Sequence, residues 1–305
     1  LALFLKIAER GKKLSGLTNN IKVGNSLISD KSIDEKAFDW EEQFPEKFDI
    51  VIGNPPYVDI KQLPQSLVKQ LFETYSTVEN RMNLYSVFIE KSLKLLNNEG
   101  FFGFIIPNSI LYNSSYTKIR KLILENTYVR HITRLPDNVF PVDVETINLI
   151  FQKKGKKIKK FPVKVLLYPR TEKIDFIGEK NCKEMLTFDQ DSWYKSPGHK
   201  FNISTLMAGK GKDILEKIEK NTTPLGPELA DFSLGLTPYD KYRGHSKKQI
   251  KNRVFHSKTK KDSTFKPLLS GKHIVRYGVF WDNKEYIRYG KWLGAPREKR
   301  FFTKP

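Results

Sequence analysis

The chain has 305 residues, long enough for two domains and a sizeable core. Its single cysteine, Cys182, excludes an internal disulfide and fits a reducing cytoplasm, and no apolar run reaches membrane-spanning length. The net charge is +20, with 18 basic and 18 acidic residues over 1–150 but 36 and 16 over 151–305. That excess suits a phosphate backbone, set against the blander reading of a solvated lysine-rich surface. With no second cysteine and no histidine cluster, no metal site is expected.

Leu1–Leu5 is soon broken by Lys6, Glu9 and Arg10, so it reads as an amphipathic helix and not a signal peptide. Asn20–Leu27 reads as a short strand ending in a Gly24-Asn25-Ser26 turn, and acidic residues 34–47 predict a covering helix. Phe48–Ile52 predicts a buried strand, because four of its five residues are apolar and three are β-branched. Gly53 and the pair Pro55-Pro56 end it, since proline cannot donate to a ladder and restricts the residue before it. The product is a rigid loop at the carboxyl end of a strand, where open α/β sheets place their ligands.

Leu63–Tyr75 and Asn83–Leu93 have helical spacing, the second with Leu84, Phe88 and Leu95 as its core face. Asn98-Glu99-Gly100 is expected to close that helix before a buried strand, Phe101–Ile106, runs into Pro107-Asn108-Ser109. A basic helix at Tyr116–Asn126, a strand at Val129–Leu135, a loop carrying Phe140, Asp143 and Glu145, and a strand at Ile147–Phe151 follow. Nothing nearby asks for acid–base chemistry, so Asp143 and Glu145 read as structural. The lysine run 153–160 marks the expected boundary between domains at 1–165 and 166–305.

Phe161–Tyr168 reads as one more strand, and Ser204–Asn221 as a helix with Ser204 at its N-cap. Beyond it, glycines punctuate short aromatic-rich strands: Arg276-Tyr277, Trp281, Tyr286, Arg288-Tyr289 and Lys291-Trp292. Lysine and arginine there could neutralise phosphates, and Arg276, Arg288 and Lys291 are the candidate DNA contacts. A small β core with a solvated outer face would show the same interleaving.

The loop Asn54-Pro55-Pro56-Tyr57 carries the chemistry. The Asn54 side chain and the Pro55 main chain each offer a carbonyl acceptor, and Tyr57 adds a flat face. Two acceptors beside a ring suit a planar group bearing NH2, such as an adenine or an amide. Accepting both amino hydrogens draws the nitrogen lone pair out of conjugation, which is preorganised polar stabilisation and not general-base catalysis. An adenine in a duplex would have to be flipped out to reach it. The bland reading is an ordinary turn.

Asn-Pro-Pro-Tyr after an apolar strand resembles the catalytic motif of S-adenosylmethionine-dependent amino-methyltransferases. The order of helix, "NNEG", apolar strand and "PNS" resembles the TaqI-like adenine-N6 DNA methyltransferases of restriction-modification systems. The resemblance implies an α/β fold: part of a Rossmann-like methyltransferase sheet, followed by a basic α+β target-recognition domain. The segments "LGLTPYDKYRG" and "KPLLSGKHIVRYGV…EYIRYG" resemble parts of that second domain. The resemblance also implies that Asn54, Pro55, Pro56 and Tyr57 are catalytic, that Phe140 packs against the flipped base, and that Asn25 lies beside the adenine of S-adenosylmethionine. Its partners would be double-stranded DNA, with fused or separate nuclease and specificity parts, and no membrane.

The family's glycine-rich cofactor loop and its following acidic residue are not found before Asn25. The expectation is therefore a fragment cut at both ends that binds S-adenosylmethionine poorly and is inactive alone. Two other readings stay open: a protein-glutamine methyltransferase, which shares the motif but does not need the basic half, and a DNA-binding specificity module without catalysis of its own.

Overall fold

In the computed structural model the described residues are 19–79, 82–136, 139, 144–156, 161–169, 177–204, 210–223, 225–226 and 229–303. They fall into two compact units, Leu1–Lys220 and Asn221–Pro305.

The first unit is built on a six-stranded sheet in the order β1-β2-β4-β3-β5-β6. Its strands are β1 Phe48–Gly53, β2 Leu96–Pro107, β3 Thr127–Arg134, β4 Thr146–Lys153, β5 Val163–Leu167 and β6 Glu184–Phe188. β1, β2, β3 and β5 run one way; β4, between β2 and β3, and β6, at the edge, run the other. Helices α2 Gln65–Thr74, α3 Leu84–Leu95 and α4 Thr117–Asn126 connect the early strands. The expected mixed α/β sheet is present.

One sheet face is the core. Phe102, Phe104 and Ile106 of β2 alternate inward beside Ile147, Leu149 and Phe151 of β4, and Phe102 stacks on Phe151 at 4.0 Å. Each such side chain stabilises the fold by about 1.5–3 kcal/mol on burial. α3 and α4 cover this face, with Tyr85, Val87 and Ile89 of α3 and Ile119 and Ile123 of α4 fully withdrawn from water and Leu93 of α3 buried beside them. The expected core face of α3 was displaced: Leu84, Phe88 and Leu95 form its half-buried rim.

Four local expectations differ from the structure. β1 is not a buried strand, because it has a neighbour on one side only among the described residues, and Ile50 and Ile52 are 63% and 77% exposed. Residues 34–47 form turns with only one helical turn, α1 Trp40–Gln43, capped by the Asp39 carboxylate. Asn98-Glu99-Gly100 does not end α3 but bulges within β2, where Glu99 takes φ +69° and the register against β1 shifts. Asn20–Leu27 forms no strand among the described residues, only an isolated bridge of Asn25 to Ala37. The helix expected over Ser204–Asn221 is present in its described part as α6 Lys210–Lys220, and residues 205–209 lie outside those described.

The boundary also lies later than residue 165. β5 straddles that position and pairs with β3 and β6, so the sheet carries the chain past it. α5 Gln190–Lys195 then docks on the same core: the buried Gln190 side chain bonds Val129 N, Leu124 O and Thr127 O, and Trp193 stacks on Phe201 at 4.9 Å. The lysine run is no simple linker at its start. Lys153 Nζ donates to the carbonyls of Leu93 and Leu96, and Lys154 Nζ to those of Leu124 and Glu125, satisfying the ends of α3 and α4.

The second unit holds α7 Lys247–Lys251, a three-stranded sheet of β7 His256–Ser257, β11 Tyr286–Arg288 and β8 Phe265–Pro267, and a hairpin of β9 Ile274–Val275 and β10 Gly278–Val279. A short helix, α8 Arg300–Thr303, follows. Its small core is Phe255, Ile287 and Leu293, with Tyr239 stacked on Phe255 at 5.2 Å.

Candidate active site at the carboxyl edge of the sheet

β1 and β2 are parallel, so both deliver their carboxyl ends to one edge of the sheet. β1 stops at Gly53, where the backbone passes close to β2: a Cβ there would lie 3.2 Å from the Phe104 ring, tighter than an ordinary contact. Asn54 follows, exposed, and neither its side chain nor the Pro55 carbonyl receives a hydrogen bond among the described residues. Pro55 itself is buried, so the loop is anchored while its two acceptors stay uncommitted.

The loop's far side is pinned as firmly. Tyr57 donates its hydroxyl to Ile105 O at 2.9 Å, tying the loop to β2. Its ring meets Tyr85 edge-on at 6.1 Å, and Tyr85 in turn bonds Ser109 Oγ at 3.1 Å. Burial raises the Tyr57 phenol above its ordinary range, so it stays protonated and acts as a donor and a flat surface. Downstream, Leu84 N bonds Val58 O and Ile60 N bonds Met82 O, locking the exit of the loop to the start of α3. Asn54, Pro55, Pro56 and Tyr57 thus form one rigid ledge with two free acceptors, which can hold an NH2 group but cannot act as a base.

Asn25 is placed differently from a free ligand contact. Its amide donates to Asp34 Oδ2 at 2.7 Å and its carbonyl accepts from Leu27 N at 3.1 Å, which closes the loop 25–37. The Asn25 amide, and then Lys36 N, hold the Asp34 carboxyl below its usual range. Beside it lies a cleft of about 350 Å³ walled by Gly24, Ser26, Phe38, Trp40, Phe44 and Phe48. Its aromatic walls suit a flat heterocycle such as the adenine of S-adenosylmethionine. No described carboxylate lines the cleft to hold a ribose diol, so the fit extends to the ring alone.

Phe140 lies outside the described residues, as does Asp143. In the second unit Arg276 sits in the turn between β9 and β10, its guanidinium 5.3 Å from the ring of Tyr277, which is 94% exposed. Arg288 on β11 lies 4.6 Å over Trp292, and Lys291 is exposed in the turn after it. Arg288 and Lys291 therefore share a segment, while Arg276 belongs to a separate hairpin. The sequence reading missed one support of the site, Tyr85, whose ring backs Tyr57. Asn108, just past the end of β2, donates its amide to Glu145 Oε2, the carboxylate read as structural.

Residues 1–140 match the family model described as Eco57I restriction-modification methylase. The chain is 33% identical over 184 residues to the type II methyltransferase M.BstVI of Geobacillus stearothermophilus, covering 56% of this chain and 33% of that protein. It is 32% identical over 123 residues to the type II restriction enzyme and methyltransferase RM.Eco57I of Escherichia coli, covering 38% of this chain and 12% of that one. The chain thus spans a third or less of these relatives. The crystal structure of the type I restriction enzyme EcoKI M protein overlays with a TM-score of 0.35 at 22% identity, covering 52% of this chain and 30% of that one, too low to bear on the site. The segment that contains the ledge, residues 1–140, is thus similar to the Eco57I restriction-modification methylases.

Proposed function

We propose that the protein to which this chain belongs is a site-specific DNA methyltransferase of a restriction-modification system that methylates adenine at N6. The observation that carries the reading is the uncommitted pair of carbonyls at Asn54 and Pro55 on a ledge fixed by Gly53 and Tyr57. A flipped adenine donates both amino hydrogens to these acceptors and lies against Tyr57. Its lone pair is then free to attack. Bound S-adenosylmethionine supplies the methyl group. The proton lost from N6 passes to solvent, since neither acceptor is basic.

In this reading Asn25 shapes the wall beside the cofactor's adenine, and Phe140 packs on the target base. Arg276, Arg288 and Lys291 contact DNA, and the second unit starts the target-recognition domain. The charge excess beyond residue 150 supports a duplex over a protein glutamine as acceptor. The name of the Eco57I relative joins a restriction enzyme to its methyltransferase, so a nuclease part in the parent protein belongs to the proposal. Among the described residues no helix is long and apolar enough to cross a membrane.

The test is to express the full-length parent in a host free of DNA methylation and read its modified bases. N6-methyladenine at one recurring sequence is expected. Unmodified DNA together with methylated protein glutamine would assign the ledge to the other acceptor.

A further inference from the structure

Along the same edge of the sheet, beyond the ledge, lies a second cleft of about 360 Å³, within the size range of small-ligand sites. It opens where β2 ends at Pro107, β4 begins at Thr146 and β3 ends at Arg134. Its floor is apolar and buried: Leu111, Ile147 and Phe201.

The two walls of this cleft are held together from behind. Residues 108–112 form one wall and 200–204 the other. The fully buried Arg120 donates to Ile110 O and Asn113 O on the first side and to Gly198 O on the second, and Phe201 N bonds Leu111 O at 2.8 Å. A cation buried to tie two loops marks a preformed cleft and not a chance gap between them.

The cleft's polar lining divides in two. At one side Asn108 donates to Glu145 and accepts from the Tyr112 hydroxyl at 3.0 Å, a set of donors and acceptors in one place. Elsewhere the lining carries two cations, Arg134 and Lys200. Arg134 Nε is shut off from solvent and has no hydrogen-bond partner among the described residues. An unpaired buried N–H is costly, and a guanidinium fork matches a phosphate better than any other common anion except a carboxylate. An apolar floor, a hydrogen-bonding edge and two cations suit a nucleotide: base or sugar on the floor, phosphate on the cations.

From these features we infer that the cleft holds the nucleotide adjoining the target adenine, its phosphate on Arg134 and Lys200. This rests on the proposed function for the identity of its neighbour. The strands that frame the cleft lie one to three places along the sheet from β1, about 5–15 Å at the usual spacing, which is the reach of one or two nucleotides. Holding that neighbour would keep the extruded strand open while the ledge takes the adenine.

The test uses the 305-residue chain and thymidine 5′-monophosphate, whose base has no amino group for the Asn54 ledge. Titration calorimetry compares it with thymidine and with inorganic phosphate. Thymidine monophosphate is expected to bind at least tenfold more tightly than either part. Arg134→Gln should weaken it about tenfold, Lys200→Gln should weaken it severalfold, and Asn54→Ala should leave it unchanged. Lys200 is exposed, so its variant keeps the test valid if Arg134→Gln fails to fold. Equal binding of nucleoside and nucleotide, or indifference to both cation variants, would overturn the cleft without touching the ledge. Loss of binding in Asn54→Ala would move the nucleotide to the ledge and likewise overturn it. The ledge is judged separately, by methyl transfer.

Discussion

Replacing Arg120 with methionine tests whether the carboxyl edge is held by a buried cation. The Arg120 side chain has no exposure to solvent and gives five hydrogen bonds, four of them to three main-chain carbonyls: Ile110, Asn113 and Gly198. Burial pulls its pKa down to about 10, so it stays charged at neutral pH. Each carbonyl loses a charge-assisted bond worth about 1.5–3 kcal/mol. Several kcal/mol return because the cation no longer has to leave water. Methionine fills most of the volume, so little cavity cost is added. The net expected loss is about 3 kcal/mol, read as a lower urea midpoint with unchanged slope. A loss below about 1 kcal/mol would mean that the carbonyls find other partners. In that case the two walls of the second cleft are not tied as described.

Other changes probe the ledge and the two units. Gly53→Ala places a methyl group 3.2 Å from the buried Phe104 ring, so stability should fall by about 1–3 kcal/mol and methyl transfer by the full-length parent should fall further; an unchanged urea midpoint would show that the strand end has room. The buried Glu90 carboxylate accepts from Ser76 and Thr77. Burial would raise its pKa, but those bonds and Lys94 outweigh it and the carboxyl lies below its usual range. Its contribution is therefore complete above the unfolded pKa and is lost as pH falls through the lower folded value; in Glu90→Gln that acid-limb loss should shrink, as read by urea midpoints between pH 6 and 3. In the second unit Tyr239 accepts from Phe255 N and its hydroxyl shares a hydrogen bond with His256 Nδ1 at 2.9 Å, and burial, with Arg253 second, holds that imidazole below its ordinary value. Stability from it is complete above the unfolded histidine value and lost as pH falls through the folded one, so His256→Asn should flatten the melting profile between pH 8 and 5. DNA affinity of the chain should fall steeply between 50 and 200 mM salt, and a flat response would remove the phosphate role of the basic half.

Much of the first unit was legible because its signals are local. Helical spacing located α2, α3 and α4, and apolar runs located β1 to β5 to within a few residues. The ledge was legible too, since glycine and proline act on the backbone wherever they stand. What stayed hidden depends on neighbours. The apolar composition of β1 could not tell a central strand from an edge, because the same isoleucines serve either. The lysines at 153 and 154 looked like a linker until the carbonyls they cap, some 30 to 60 residues away in sequence, came beside them. Residues 34–47 had helical amphipathicity, yet the aromatic cluster of Phe38, Trp40, Phe44 and Phe48 is packed by turns instead. The cleft around Arg134 gave no sequence signal, because its lining comes from four separated segments.

The most direct measurement is methyl transfer by the full-length parent carrying Asn54→Ala, alongside its affinity for the same DNA. The variant removes one of two acceptors that are free on the ledge and no phosphate contact. Turnover should fall by at least about 10²–10³-fold, the scale of losing one preorganised polar group at a reacting centre, with DNA affinity within threefold of the parent. Methylation that survives at the parent's rate would contradict the ledge as the site of chemistry.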